Sequence, residues 1–98
     1  MADQFKNYID GNWQAAGSGR TFDNRNPVNT DDLIGLFPAS GAEDVDAAVA
    51  AARKAFASWR LVPAPKRGEI LYRVGDLLKK YKEELARIET REMGKVLK

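Results

Sequence analysis

The sequence predicts an α+β chain, with strands and turns over residues 1–39 and helices over 40–98, and three observations carry that reading. Gly11, Gly17, Gly19, Pro27, Gly35 and Pro38 cut the first part into short apolar and aromatic pieces, the pattern of strands joined by turns. At Ser40 the hydrophobic period changes to steps of three and four residues, which is helical. The length of 98 residues, with 44% hydrophobic and 31% charged content, suits one small globular domain. A chain of this size should bury roughly 60–65% of its unfolded surface in one modest core.

In the first part, Asp10-Gly11 sits between Tyr8-Ile9 and Trp13. This is a strong hairpin signal, because both central residues of a type I′ turn need positive φ. Thr21-Phe22 and the run Leu33-Ile34-Gly35-Leu36-Phe37 predict a second extended pair around the turn-rich stretch from Asn26 to Asp32, with Pro38 stopping the last strand. Gly17-Ser18-Gly19-Arg20 reads as a plain turn. It lacks the Lys and Ser or Thr of a phosphate loop, and the third Gly that would open a helix on a dinucleotide.

The helical part opens on Ser40-Gly41-Ala42-Glu43, which predicts a capping box in which Ser40 and Glu43 satisfy each other's free backbone donors. Asp44 and Asp46 suit the positive end of the helix dipole. Val45, Ala48, Val49, Ala52, Phe56 and Trp59 then form one apolar stripe. Pro63-Ala64-Pro65 ends that helix and starts the next, with Pro65 in the first turn. Ile70, Leu71, Val74, Leu77, Leu78, Tyr81, Leu85 and Ile88 continue the period, and residues 66–93 fit either one helix or two joined by a kink near Tyr81. Gly94 is a left-handed stop. Val96-Leu97-Lys98 follows without punctuation, as expected of a segment cut from a longer chain.

Composition excludes much chemistry. There is no Cys and no His, so thiol nucleophiles, disulfides, histidine bases and the usual zinc ligand sets are absent. Sixteen basic residues against fourteen acidic give a net charge of +2, a balance rather than a polyanion-binding surplus. Lys79-Lys80 and Lys82 make the densest basic run, but Glu83 and Glu84 follow at once, the pattern of a solvated helix face. The carboxylate pairs Asp31-Asp32 and Asp44 with Asp46 have local roles in turn polarity and helix capping, which account for them without catalysis. Trp13, Trp59 and the tyrosines read as core or interface anchors. Met1 to Phe5 lacks the basic flank and apolar stretch of a signal peptide, and no run is long enough to cross a bilayer, so a cytoplasmic location without membrane or nucleic-acid partners is expected.

Tyr8-Ile9-Asp10-Gly11-Asn12-Trp13, then Asn26-Pro27, then the run from Ala42 to Arg53, followed in order by Phe56, Trp59, Arg67, Leu71, Leu77-Leu78, Glu84-Leu85 and Glu92-Met93-Gly94-Lys95, resembles the N-terminal segment of the aldehyde dehydrogenase superfamily. The resemblance implies NAD- or NADP-dependent oxidation of an aldehyde to a carboxylic acid through a thiohemiacetal and a thioester on a cysteine. It also implies that the nucleophile, the general-base Glu, the oxyanion-hole Asn and the dinucleotide-binding elements lie beyond the matched region. Residues 1–98 would then be a scaffold within the α/β cofactor-binding domain. No catalytic, cofactor-binding or metal-ligating residue is expected among them, although backbone carbonyls near Asn24 and Arg25 help hold a monovalent cation in many members. The implied partners are the remainder of the subunit, a small aldehyde and further copies of the full-length chain.

Arg25 stands where an apolar residue is usual, Asn29-Thr30-Asp31-Asp32 replaces a Thr-Gly-Glu turn, and Gly35 marks a flexible position nearby. Two other readings compete: a free-standing interaction module that binds through an exposed apolar face, and a helical nucleic-acid-binding domain resting on the basic run.

Overall fold

The computed structural model describes residues 3–97; Met1, Ala2 and Lys98, the ends of the expected 1–98 unit, lie outside the described residues. Strands β1 (Asn7–Ile9) and β2 (Asn12–Gln14) form the first antiparallel hairpin, with Ile9 opposite Asn12. Its turn is built as the Asp-Gly pair requires, Asp10 at φ 52° and Gly11 at φ 77°. The cross-strand partners Tyr8 and Trp13 bring their rings to 4.8 Å, a pairing that adds to hairpin stability.

Strands β3 (Thr21–Arg25) and β4 (Leu33–Pro38) form the second hairpin, with Phe22 opposite Phe37 and an irregularity in register between Asn24 and Arg25. A short edge that sequence patterning does not announce lies alongside β4. The Leu36 N–H donates to the Asp3 carbonyl and the Phe5 N–H to the Leu36 carbonyl, both at 2.8 Å, in a parallel bridge centred on Gln4 and Leu36. Phe5 stacks on Phe37 with centroids 4.7 Å apart. This close approach is why position 35 is glycine: a Cβ there would stand 2.5 Å from Phe5 Cε2 and 2.9 Å from the Asp3 carbonyl oxygen. The expectation of a flexible position is corrected accordingly, since Gly35 is buried against a neighbouring backbone.

Helix α1 (Ala42–Trp59) begins one residue later than the Ser40 box expects. Gly41 is the N-cap, and Asp44 rather than Glu43 reaches back, its Oδ2 accepting the Gly41 N–H at 2.9 Å. The physical reason is competition, because the Ser40 hydroxyl is already taken as acceptor by Asn7 Nδ2 at 2.7 Å. Helices α2 (Ala64–Lys80) and α3 (Lys82–Met93) resolve the open question over residues 66–93 as two helices. Tyr81 departs from helical geometry at φ −101°, ψ 17°. Its N–H still donates to Leu77 and its carbonyl still accepts from Leu85, so Tyr81's own backbone groups stay paired. Gly94 ends α3 at φ 75° with its N–H on the Thr90 carbonyl, as a left-handed cap should.

The core is much smaller than a chain of this length should own. Among described apolar side chains only Ala16 and Ile34 are buried. The accessible surface is 8250 Å², whereas a compact protein of 10.9 kDa exposes roughly 5,600 Å². The unfolded chain would expose roughly 15,800 Å², so folding removes about half rather than the expected 60–65%. The radius of gyration is 17.1 Å against about 12.6 Å for a compact domain of this size. The elements spread into a slab of 48 × 37 × 19 Å, about two secondary-structure layers thick, and the apolar helix stripes have too little on the other side to bury them.

Candidate functional site

Two polar clamps fix the slab. At the first, Asp44 joins α1 to the loop after β2: while Oδ2 caps Gly41, Oδ1 accepts the Gly17 N–H at 2.9 Å. These two backbone donors, Gly41 first and Gly17 second, lower the Asp44 pKa below the ordinary carboxylate value. At the second, Arg91 on α3 holds the β3–β4 loop. Arg91 Nε donates to Asp32 Oδ2 at 2.8 Å and Nη2 to Asp32 Oδ1 at 2.5 Å, while Nη2 also donates to the Leu33 carbonyl at 3.1 Å. Asn26 Nδ2 adds a longer bond to Asp32, and Asn24 Nδ2 donates to Glu92 Oε1 at 2.8 Å. The Arg91 fork holds the Asp32 pKa at about 2, against the partial burial that would raise it.

Two of the four candidate carboxylates therefore have a structural place. Asp32 and Asp44 are the pivots of separate clamps, while Asp31 and Asp46 are exposed, and neither sequence pair converges as an acid and a base would. Three N–H donors of the Gly17–Arg20 turn are already taken: Gly17 N–H on Asp44, Gly19 N–H on the Ala16 carbonyl at 2.8 Å, and Arg20 N–H on Ser18 Oγ at 3.2 Å. The turn leads into a strand rather than a helix. These residues do not fit a dinucleotide pyrophosphate, which needs free N–H groups at a helix start. No group of three or more His, Cys, Asp or Glu is placed to hold a metal among the described residues. Lys79, Lys80 and Lys82 line a shallow groove together with Glu83, Ala86 and Leu97, and Lys80 Nζ lies 5.3 Å from the Tyr81 ring centroid.

What the chain does present is apolar surface. Val45, Val49 and Phe56 on α1, and Leu71, Leu77 and Leu78 on α2, are all exposed. Trp13 is 68% and Trp59 43% exposed, which corrects any core role for them within this chain and leaves the interface role. One shielded side-chain nitrogen, Arg67 Nε on α2, has no hydrogen-bond partner among the described residues.

The chain is a clamped slab with open apolar stripes on α1 and α2. Its sequence matches the aldehyde dehydrogenase family over residues 13–98. The chain is 48% identical over 91 residues to malonate-semialdehyde dehydrogenase 2 of Geobacillus thermodenitrificans, covering 93% of this chain and 19% of that protein. It is 40% identical over 93 residues to the alpha-ketoglutaric semialdehyde dehydrogenase of Bacillus subtilis, covering 95% and 19%. Among solved structures, an NAD-dependent aldehyde dehydrogenase from Sinorhizobium meliloti superposes with a TM-score of 0.91 at 36% identity, over 99% of this chain and 20% of that one. An NADP-dependent enzyme from E. coli gives 0.91 at 36%, over 96% and 19%. The chain belongs to the aldehyde dehydrogenase family and fits its N-terminal segment. It spans about a fifth of the length of the curated relatives it matches.

Proposed function

We propose that residues 1–98 serve as a scaffolding part of the cofactor-binding domain of an NAD- or NADP-dependent aldehyde dehydrogenase, an enzyme that oxidises an aldehyde to a carboxylic acid. The observation that carries this reading is the excess apolar surface on α1 and α2 of a chain that matches the family over residues 13–98. The residues here take no chemical step. Asp44 ties α1 to the loop after β2 and Arg91 ties α3 to the β3–β4 loop, and the rest of the subunit packs on the open stripes and brings the nucleophile and the cofactor site. The full-length enzyme acts in the cytoplasm as a homo-oligomer, with no nucleic-acid or membrane partner; no helix among the described residues is long and apolar enough to cross a membrane.

The test takes the purified 98-residue chain through two measurements. Nicotinamide reduction with a panel of aldehydes should stay at the blank, and any turnover that tracks the chain overturns the scaffold reading. Size-exclusion chromatography with an apolar dye should show dye binding or self-association, as exposed patches of this size do. A compact monomer that binds no dye and melts sharply would instead establish a free-standing module.

A further inference from the structure

The tip of the first hairpin joins two residues that no other part of the chain combines. Asp10 is followed by Gly11, whereas each of the seven other aspartates precedes a residue that carries a side chain. Both turn residues are exposed, and Asp10 lines the grooves on either side of the tip, where the hairpin lies beside the alanines of α1. Asn12 Nδ2 donates to the Asp10 main-chain carbonyl at 3.2 Å, and no donor reaches the Asp10 carboxylate among the described residues. Asp23, Asp32 and Asp44 are by contrast held by Arg25, by Arg91 and by the Gly17 and Gly41 N–H groups. The Gly11 N–H has no backbone acceptor among the described residues, and a Cβ built on Gly11 meets nothing within 4 Å. Asp10 also sits at φ 52°, a backbone region that crowds the Cβ of an L residue.

We propose that Asp10-Gly11 is a self-modification site, where the turn closes to a cyclic imide and reopens as isoaspartate, releasing the first hairpin from its register. The Gly11 amide nitrogen bonds to Cγ of the Asp10 carboxyl and gives up its proton, and one carboxyl oxygen leaves as water. The ring then takes up one water. Opening at the side-chain carbonyl restores aspartate, and opening at the main-chain carbonyl leaves the chain running through the Asp10 β-carbon. Nothing is oxidised or reduced, and water is the only co-reactant. Glycine favours the first step because it has no side chain to shield the attacking nitrogen. A hairpin with three-residue strands is only marginally stable, so its tip opens often enough for the nitrogen to reach Cγ. The product cannot refit. A type I′ turn has room for two residues of ordinary length, and one added main-chain carbon shifts Ile9 from Asn12 and Tyr8 from Trp13.

The experiment ages the purified chain for weeks at neutral pH and body temperature in water enriched in oxygen-18, digests it with trypsin in ordinary water and separates the peptides by chromatography and mass. The peptide Asn7–Arg20 should split into two forms that each gain one heavy oxygen, the second of them methylated by an isoaspartyl methyltransferase. With glycine next to it, Asp10 should convert on the order of tenfold more than any other aspartate of the chain. Asp10→Glu, whose longer side chain closes the ring far more slowly, should leave that peptide unsplit. Asp10→Asn keeps a residue that tolerates positive φ and loses ammonia in place of water, so it should convert faster than wild type. The isolated isoaspartyl chain should keep its helical circular dichroism and lose the chemical-shift signature of the Tyr8–Trp13 pair. Methylation no greater in Asn7–Arg20 than in the other aspartate-bearing peptides overturns the site. So does equal methylation of that peptide in Asp10→Glu, or conversion without heavy oxygen. An isoaspartyl chain with Tyr8 and Trp13 still paired overturns the loss of register.

Discussion

Arg91 reaches across 59 residues to meet both carboxylate oxygens of Asp32, and the same guanidinium donates to the Leu33 carbonyl. Helix α3 is thereby tied to the loop between β3 and β4. The planar fork matches the carboxylate in a way that a lysine ammonium does not.

The clamp gives Asp32 a share in the acid sensitivity of the fold. Asp32 has an ordinary pKa of 3.8 and is held at about 2 in the fold by Arg91, so the folded state binds the proton less readily than the unfolded one. The stabilisation is complete above the ordinary value and is lost as pH falls from about 4 through about 2. Asp44, lowered by Gly41 and Gly17, contributes in the same direction. Asp32→Asn should lower stability at neutral pH and flatten its acid dependence, read by circular dichroism across that window. Arg91→Lys should retain part of the neutral stability. Identical acid profiles for wild type and Asp32→Asn would refute the clamp.

Gly35→Ala should cost about 1–3 kcal/mol, because the added methyl group meets the Asp3 carbonyl and the Phe5 ring. Gly41→Ala, where a Cβ meets nothing within 4 Å, adds no clash and should cost less, about 0.5–1 kcal/mol through the weaker helix cap. Urea unfolding measures both. Amide exchange at Phe5 and Leu36 should accelerate in Gly35→Ala alone, since those N–H groups carry the bridge.

Asp10 is the one non-glycine residue at positive φ among the described residues. Asp10→Gly should be neutral or slightly stabilising to the first hairpin. Asp10→Val should cost about 1–2 kcal/mol, because a branched Cβ crowds the left-handed backbone. Chemical-shift changes at Tyr8 and Trp13 would report loss of their pairing, and an unchanged hairpin in Asp10→Val would remove the type I′ assignment.

Trp59→Ala should depend on context. In the 98-residue chain the ring is 43% exposed, and its loss should cost roughly 1–2 kcal/mol. In a full-length enzyme carrying this segment the same change should cost about 3–5 kcal/mol, through lost burial and a residual cavity, while turnover per folded active site stays near wild type. Paired thermal melts with active-site titration separate the cases. A well-folded full-length variant with a collapsed kcat/KM would place Trp59 in the binding machinery.

What the sequence made legible was local. Asp10-Gly11 carries its own turn geometry, Gly94 its own cap, and the change of period at Ser40 its own helix, because each depends on a few neighbouring residues. The capping residue was displaced by one because Asn7, 33 positions away, claims Ser40, and no short window contains that competitor. In the sequence Asp32 and Asp44 read as turn polarity and helix capping, but their partners Arg91 and Gly17 lie 59 and 27 residues off. The bend at Tyr81 has no signal of its own because the apolar period runs through it unbroken. Residues 3–5 carry no strand pattern of their own and are held by the Leu36 backbone and the Phe5–Phe37 stack.

The thinness of the slab has a calorimetric consequence. A compact domain of this length unfolds with a heat-capacity increase of about 1.2–1.5 kcal/mol/K, which tracks the surface it releases. With about half of its surface hidden, this chain should show roughly three-quarters of that increase, a correspondingly shallow urea dependence and a broad thermal transition. The missing quarter should reappear as a negative heat-capacity change when the open stripes are covered by their partner. Mixing calorimetry at several temperatures would then weigh directly how much of this segment's stability is held in the polypeptide that covers it.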